Sequence, residues 1–365
     1  MKQLAWNKVK RIVVTFIIAV LGGSLFKLLH IPVPWLLGPM VVMAVGTNAM
    51  KLHFVWSRSL RNTGLIIVGY TIGLSMTAAA LHEMVLQLPI MLSMTVFLML
   101  LCAGIAYVVS KLSDSDYRSA LLGSIPGGLT QVLILAEETK DINLAVVTVT
   151  QVIRLMMIII FIPLIVMLPM FAQSPGEGVA STLTSSPETV NLFPNILIFA
   201  SVGILLALGG DKINFPTAFL LGPIIGTVVL QLLGLQGPQL PQAMINAAQL
   251  MIGTYVGLML KTNQIANKTK TIGLAVGSGL MLLFGSIILS MLLTKLQPIS
   301  KATGLLSLAP GGMDQMGIIA HEIGADLSIV SGYQLFRTFF IYFAVPPLLK
   351  LIFKKRDKRV EKQDN

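Results

Sequence analysis

Apolar residues in this chain gather in long, predominantly apolar blocks instead of recurring every third or fourth position, as they would on a helix with one wet face. The blocks at 12–29, 86–109, 144–170 and 272–293 each match or exceed the ~18 residues that carry a helix through a bilayer core. Lipid offers backbone groups no hydrogen-bond partner, so such blocks must be helical. The pattern therefore predicts an all-α integral membrane protein with about ten transmembrane helices.

Composition agrees with that reading, since 55% of the 365 residues are hydrophobic and 11% are charged, more apolar surface than a water-soluble core absorbs. The net charge of +11 would suit nucleic acid, but the basic residues cluster at the chain ends. Lys2, Lys8, Lys10 and Arg11 precede the first block, and Lys350, Lys354, Lys355, Arg356, Lys358, Arg359 and Lys362 follow the last. Positive residues stay inside, so both termini are expected in the cytoplasm of a bacterial-type plasma membrane. The basic tail also suits anionic lipid. Cys102 lies within an apolar block without a disulfide partner. No small-x-small cleavage pattern follows the first block, which reads as a retained span.

The two halves match at a constant shift of 184 positions. Pro32 falls on Pro216, and Leu36, Leu37, Gly38 and Pro39 fall on Leu220, Leu221, Gly222 and Pro223. Gly69 and Gly73 meet Gly253 and Gly257. Pro126, Gly127, Gly128 and Gln131 meet Pro310, Gly311, Gly312 and Gln315. One deletion then brings Gln151 and Arg154 onto Gln334 and Arg337 at a shift of 183. The chain divides into a first membrane repeat at 11–170, a polar linker at 171–193, a second repeat at 194–353 and a basic tail at 354–365.

Loop charges orient the repeats. Lys51, Arg58 and Arg61, and then Lys111 and Arg118, mark cytoplasmic loops, while the linker carries Glu177 and Glu188 and no Lys or Arg. An external linker gives the first repeat an odd number of crossings and the second the opposite topology. Lys212, Lys261, Lys268 and Lys270 agree with this arrangement, whereas Lys295 and Lys301 do not. Each repeat has six hydrophobic segments, so one must fail to cross. The Pro-Gly-Gly segment is the candidate, because proline removes a helical donor and the glycines loosen the backbone. Two broken or re-entrant segments are expected, lined by protein or a water-filled cavity.

The segments PVPWLLGPM at 32–40, SIPGGLTQV at 124–132 and LAPGGMDQMGIIAHEIGADLSIVSGYQLFR at 308–337 resemble the AbrB membrane protein family, which carries two AbrB duplication domains. The resemblance covers nearly the whole chain and does not extend to the small soluble DNA-binding proteins of the same name. It implies a regulator of gene expression or, by another label, an ammonia monooxygenase. In architecture the family is similar to the cation/proton antiporter and anion transporter superfamily, which implies broken helices meeting at a binding site.

Ends of broken helices expose unpaired N–H and C=O groups that hold ions. The expected substrate- or ion-binding residues are therefore Ser124, Pro126, Gly127, Gly128, Thr130, Gln131, Gln151 and Arg154 in the first repeat. Their counterparts are Pro310, Gly311, Gly312, Asp314, Gln315, Gln334 and Arg337 in the second. The bland alternative for the Pro-Gly-Gly pairs is close helix packing. Asp314 replaces Thr130 and reads equally as a coupling carboxylate or as a helix cap. Arg154 lies eleven residues beyond Asn143, roughly 16 Å along a helix, and so at depth. Each Arg has four readings: binding an anionic substrate, neutralising Asp314, bonding carbonyls freed by the breaks, or snorkelling to an interface. His30, His53, His82 and His321 are scattered and support no copper or iron site. No phosphate loop, nucleophile triad or basic-aromatic nucleic-acid patch is present.

The expected function is a secondary transporter or exchanger of a small anionic metabolite, coupled to a proton or sodium ion. No enzymatic activity, cofactor, metal or direct nucleic-acid binding is expected, and a homo-oligomer is compatible with the pattern. A membrane-embedded sensor affecting gene expression is the alternative. The charge pattern predicts that, in a Cys102→Ala background, an impermeant maleimide labels Ser181→Cys in intact cells and spares Lys358→Cys. The reverse labelling would discard the inverted arrangement.

Overall fold

The computed structural model describes residues 2–50, 53–113, 116–126, 132, 142–171, 192–213, 215, 217–259 and 268–361. Among these the chain forms thirteen α-helices and no strand. In chain order they are α1 (Lys2–Leu28), α2 (Pro34–Asn48), α3 (Arg58–Ser75), α4 (Ala78–Leu112), α5 (Tyr117–Ser124), α6 (Leu144–Val166) and α7 (Leu192–Lys212). Then follow α8 (Ala218–Leu232), α9 (Gln242–Met259), α10 (Lys268–Leu296), α11 (Lys301–Leu308), α12 (Met313–Glu322) and α13 (Leu327–Glu361). Both ends of α2, α3 and α5 recur in α8, α9 and α11 at the spacing of 184.

Helix ends are set by the same local chemistry in both halves. Asn143 Oδ1 accepts from the Val146 N–H at 3.2 Å and starts α6. At the matching place Asp326 Oδ1 accepts from Ser328 and Ile329 at 3.0 and 3.1 Å and starts α13. Val33 and Thr217, both left-handed with φ of 50° and 48°, precede α2 and α8. The breaks fall where proline and glycine place them, since α5 stops at Ser124, α11 stops at Leu308 and α12 begins at Met313. The basic tail is less separate than its charge suggests, because α13 continues through it to Glu361.

Five helices are long and apolar enough to cross a bilayer: α1, α4, α6, α7 and α10. Among them α6 is central, with 72% of its apolar window buried against 17–39% for the others. Its Ile158, Ile159 and Ile162 join Leu36, Ile72, Leu305 and Met316 in the main core.

The helices pack as two bundles. One contains α1, α2, α3, α7, α8 and α9, and the other α4, α5, α6 and α10 to α13. They meet along a thinner seam where α3 touches α12 and α13, and α9 touches α6. The first bundle is held by reciprocal glycine crossings. Gly69 of α3 lies against the Leu220 backbone of α8, and Gly253 of α9 lies against the Leu36 backbone of α2. One turn on, Gly73 faces Ile224 and Thr227, while Gly257 faces Met40 and Met43. Every one of these contacts recurs after a shift of 184 at both partners. The Gly-x-x-x-Gly pairs let backbones touch, as close helix packing in membranes requires.

In the second bundle the segment from α11 to α12 folds back on itself. The N–H of Asp326, just past α12, donates to Thr303 Oγ1 at the start of α11 at 3.1 Å. In the first half the Asn143 N–H donates to Ser119 Oγ at the start of α5 at 3.0 Å. Val166 and Met167 at the end of α6 share a cavity with Ala302 of α11 and Glu322 of α12. The second hairpin thus opens at the C-terminal end of α6, and the Ser119–Asn143 contact lies at its N-terminal end. The 23 residues of α6 separate these two places by about 35 Å.

Gly253→Ala is expected to destabilise the protein by about 1–3 kcal/mol, because the added methyl meets the Leu36 backbone. Gly277→Ala, with open space around it, is expected to stay within about 0.5 kcal/mol. Chemical unfolding in detergent micelles compares the two.

Candidate functional site

The carbonyl ends of the half-helices α5 and α11 are the most polar feature of the buried second bundle. A helix that stops leaves its last four C=O groups without intrahelical partners. Here a Gln and an Arg, spaced three apart on one face of the next long helix, take them up. On α6, Gln151 Nε2 donates to the carbonyls of Leu122 and Ile125 at 2.6 and 3.0 Å. Arg154 Nη1 donates to those of Gly123, Ser124 and Ile125 at 3.1, 2.9 and 3.0 Å. The pair is tied together by Arg154 Nη2, which donates to Gln151 Oε1 at 2.5 Å.

The second half repeats this clamp. On α13, Gln334 Nε2 donates to the carbonyls of Leu306, Ser307 and Ala309 at 2.7, 3.4 and 3.1 Å. Arg337 donates to Ala309 and Gly311, both at 2.8 Å, and to Gln334 Oε1. Gln151, Arg154, Gln334 and Arg337 are each 4% exposed or less, which excludes snorkelling to a wet surface. Of the readings open for these arginines, the geometry matches carbonyl bonding. The guanidinium charge also faces the negative end of each half-helix dipole. Gly311 at the second break lies against Ile158, one turn beyond Arg154 on α6, so the two breaks lie along the same stretch of that helix.

Beyond the second break, α12 begins at Gly312 with no side-chain cap of its own. Asp314 stands half-buried in the first turn, with its carboxylate beside Gly312. Gln315 Nε2 donates to Asp314 Oδ2 at 2.9 Å, and Gln315 Oε1 is buried without a partner. Both side chains lie over Gly312, where a Cβ would collide with them.

Of the expected site residues, Ser124, Pro126, Gln151 and Arg154 gather at the first break. Pro310, Gly311, Gly312, Asp314, Gln315, Gln334 and Arg337 gather at the second. Gly127, Gly128, Thr130 and Gln131 lie outside the described residues. Ser124 turns its hydroxyl to the Ala120 carbonyl at 2.8 Å, so it serves its own helix. The residues that sequence reasoning missed are Ser119 and Thr303, which accept from the Asn143 and Asp326 N–H groups; their matching hydroxyls at the 184 spacing were the available signal. Among the described residues no group of three or more His, Cys, Asp or Glu could hold a metal ion.

The family model described as "Transition state regulatory protein AbrB" matches residues 45–353, most of the chain and all of the second bundle up to the tail. The chain belongs to the AbrB family. Two relatives span it almost entirely. It is 24% identical to a Bacillus subtilis (strain 168) protein, the uncharacterized YhjN, over 94% of each chain. It is also 24% identical to an Escherichia coli (strain K12) protein provisionally named regulator AbrB, covering 92% of this chain and 94% of that one. The AbrB match takes in both Pro-Gly-Gly segments, both Gln-x-x-Arg clamps and the crossing of Gly69 and Gly73 on α8.

If the clamp secures the half-helices, Arg337→Met should lower stability by about 1–3 kcal/mol by leaving the Ala309 and Gly311 carbonyls unbonded. Arg337→Lys, with its charge but no planar fork, should fall between. An unchanged unfolding midpoint for Arg337→Met would return this guanidinium to ligand binding alone.

Proposed function

We propose that the chain is a secondary transporter or exchanger that moves a small metabolite bearing an anionic group by alternating access. It crosses a bacterial-type plasma membrane ten times, five per repeat, with the two Pro-Gly-Gly segments re-entering from opposite faces and both termini in the cytoplasm. One arrangement supports this reading: α5 and the α11–α12 hairpin start at opposite ends of α6, and Gly311 at the second break lies against Ile158, one turn beyond the Arg154 that binds the first. Inverted repeats with broken helices meeting at mid-depth are how many secondary carriers build a site that opens to one side at a time. The thin seam between the bundles supplies a surface along which one could shift against the other.

Asp314 fits a coupling role within this scheme. It stands in the first turn of α12, the half-helix that touches α3 of the other bundle across the seam. A proton or sodium ion at Asp314 would change the charge on that half-helix and so link ion occupancy to bundle position. A second reading, a membrane-embedded sensor that affects gene expression, is favoured by the regulatory description of the matching family model. In that case the same breaks bind a ligand without carrying it, and neither reading involves an enzymatic step.

Flux separates the two. Protein reconstituted into vesicles loaded with cell extract should exchange labelled internal metabolites for external ones, read by mass spectrometry; binding without exchange would favour the sensor. Asp314→Asn keeps a side-chain oxygen but loses the charge. It should retain exchange while losing accumulation driven by a proton or sodium gradient. Full gradient response in Asp314→Asn would reduce that carboxylate to a cap.

A further inference from the structure

A cavity of about 640 Å³ opens on the seam where α1 and α2 of one bundle face α6, α11 and α12 of the other. Its volume lies within the ~300–1,000 Å³ typical of small-ligand sites. The turn from α1 to α2 shapes one wall. The Ile31 N–H bonds back to the Phe26 carbonyl at 3.0 Å, and the His30 N–H to the Lys27 carbonyl at 3.1 Å. His30 is left-handed, with φ of 53°, so α1 closes in a Schellman turn before Pro32. That turn brings Lys27 and His30 to the cavity, while α12 brings Glu322. Val166, Met167, Phe171 and Ile323 supply an apolar wall.

The charges do not suit a simple anion. An anion would gain Lys27 and be opposed by Glu322, whose carboxylate lines the same space. Glu322 is held from behind through one oxygen only: Oε2 accepts from Gln242 and Gln249 of α9 at 3.4 and 3.5 Å. A carboxylate on one side and a cation with an imidazole on the other match a ligand that carries both an ammonium and a carboxylate.

We infer that this cavity binds a small zwitterion with an apolar body, of the kind an aliphatic amino acid presents, with its carboxylate on Lys27 and His30 and its ammonium on Glu322. The site names the substrate class for the proposed carrier and rests on that reading only for movement of the ligand. Binding is measured without flux, so each can fail alone.

The test uses the full chain in detergent micelles with three probes of one carbon skeleton: L-leucine, 4-methylpentanoate, which lacks the ammonium, and 3-methylbutylamine, which lacks the carboxylate. L-Leucine should raise the thermal unfolding midpoint saturably and give a calorimetric isotherm, while neither single-charge probe does. Lys27→Gln and Glu322→Gln should each weaken that binding by about tenfold, the loss of one charge-assisted bond. Both positions are exposed, so the midpoints without ligand should hold. Met167→Trp narrows the cavity while leaving both charges in place, and it should weaken leucine binding too. Equal responses to leucine and 4-methylpentanoate, equal responses to leucine and the amine, or no response to any probe would each overturn the assignment. Leucine binding that survives all three substitutions would overturn it as well.

Discussion

The carbonyl oxygens at the ends of α5 and α11 are the constraint around which the second bundle is built. They point into a region walled by Ile158, Ala309 and Met316, where water is not at hand to satisfy them. Each half-helix end carries a partial negative charge, and each is met by one guanidinium and one amide from the neighbouring long helix. A buried guanidinium without acceptors would be costly, and so would a buried helix end without donors, so the breaks and the arginines stabilise one another.

The other bundle is organised mainly by close packing. Glycines at 69, 73, 253 and 257 bring backbones into contact, and bonds from Trp56 to the Met251 carbonyl and from Gln231 to the Leu74 carbonyl, at 3.1 and 3.2 Å, tie the crossing elements further. The molecule thus pairs a frame built on glycine contacts with a bundle built on clamped helix ends. Between them run a few polar links: Glu322 to Gln242 and Gln249, and the Ser328 hydroxyl to the Ser75 carbonyl at 2.6 Å. Contacts this few can exchange partners without disturbing either bundle.

Much of this was legible in the chain itself because duplication prints every structural demand twice. The breaks were readable because proline and glycine act locally, at 126–128 and 310–312. The glycine pairs were visible as matched positions, but nothing local says that α3 crosses α8, or that α9 crosses α2; such pairing is a property of three dimensions. For Arg154 and Arg337 the spacing to a Gln announced a shared face, yet their partners are backbone oxygens, which carry no side-chain signature. The mouth of the second hairpin was hidden for a similar reason, since Lys27, His30 and Glu322 lie almost three hundred residues apart and meet only through folding.

The reciprocal crossings also set a timetable. Gly69 seats against Leu220, which leaves the ribosome roughly 150 residues later, a delay of about 10–30 s at ordinary rates of synthesis. During that interval α3 has no partner for its glycine face, and neither repeat can complete its frame alone. The insertion machinery or the lipid must therefore shelter an unfinished half, and two halves from different chains, if made close together, would find in each other the same surfaces they are waiting for in themselves.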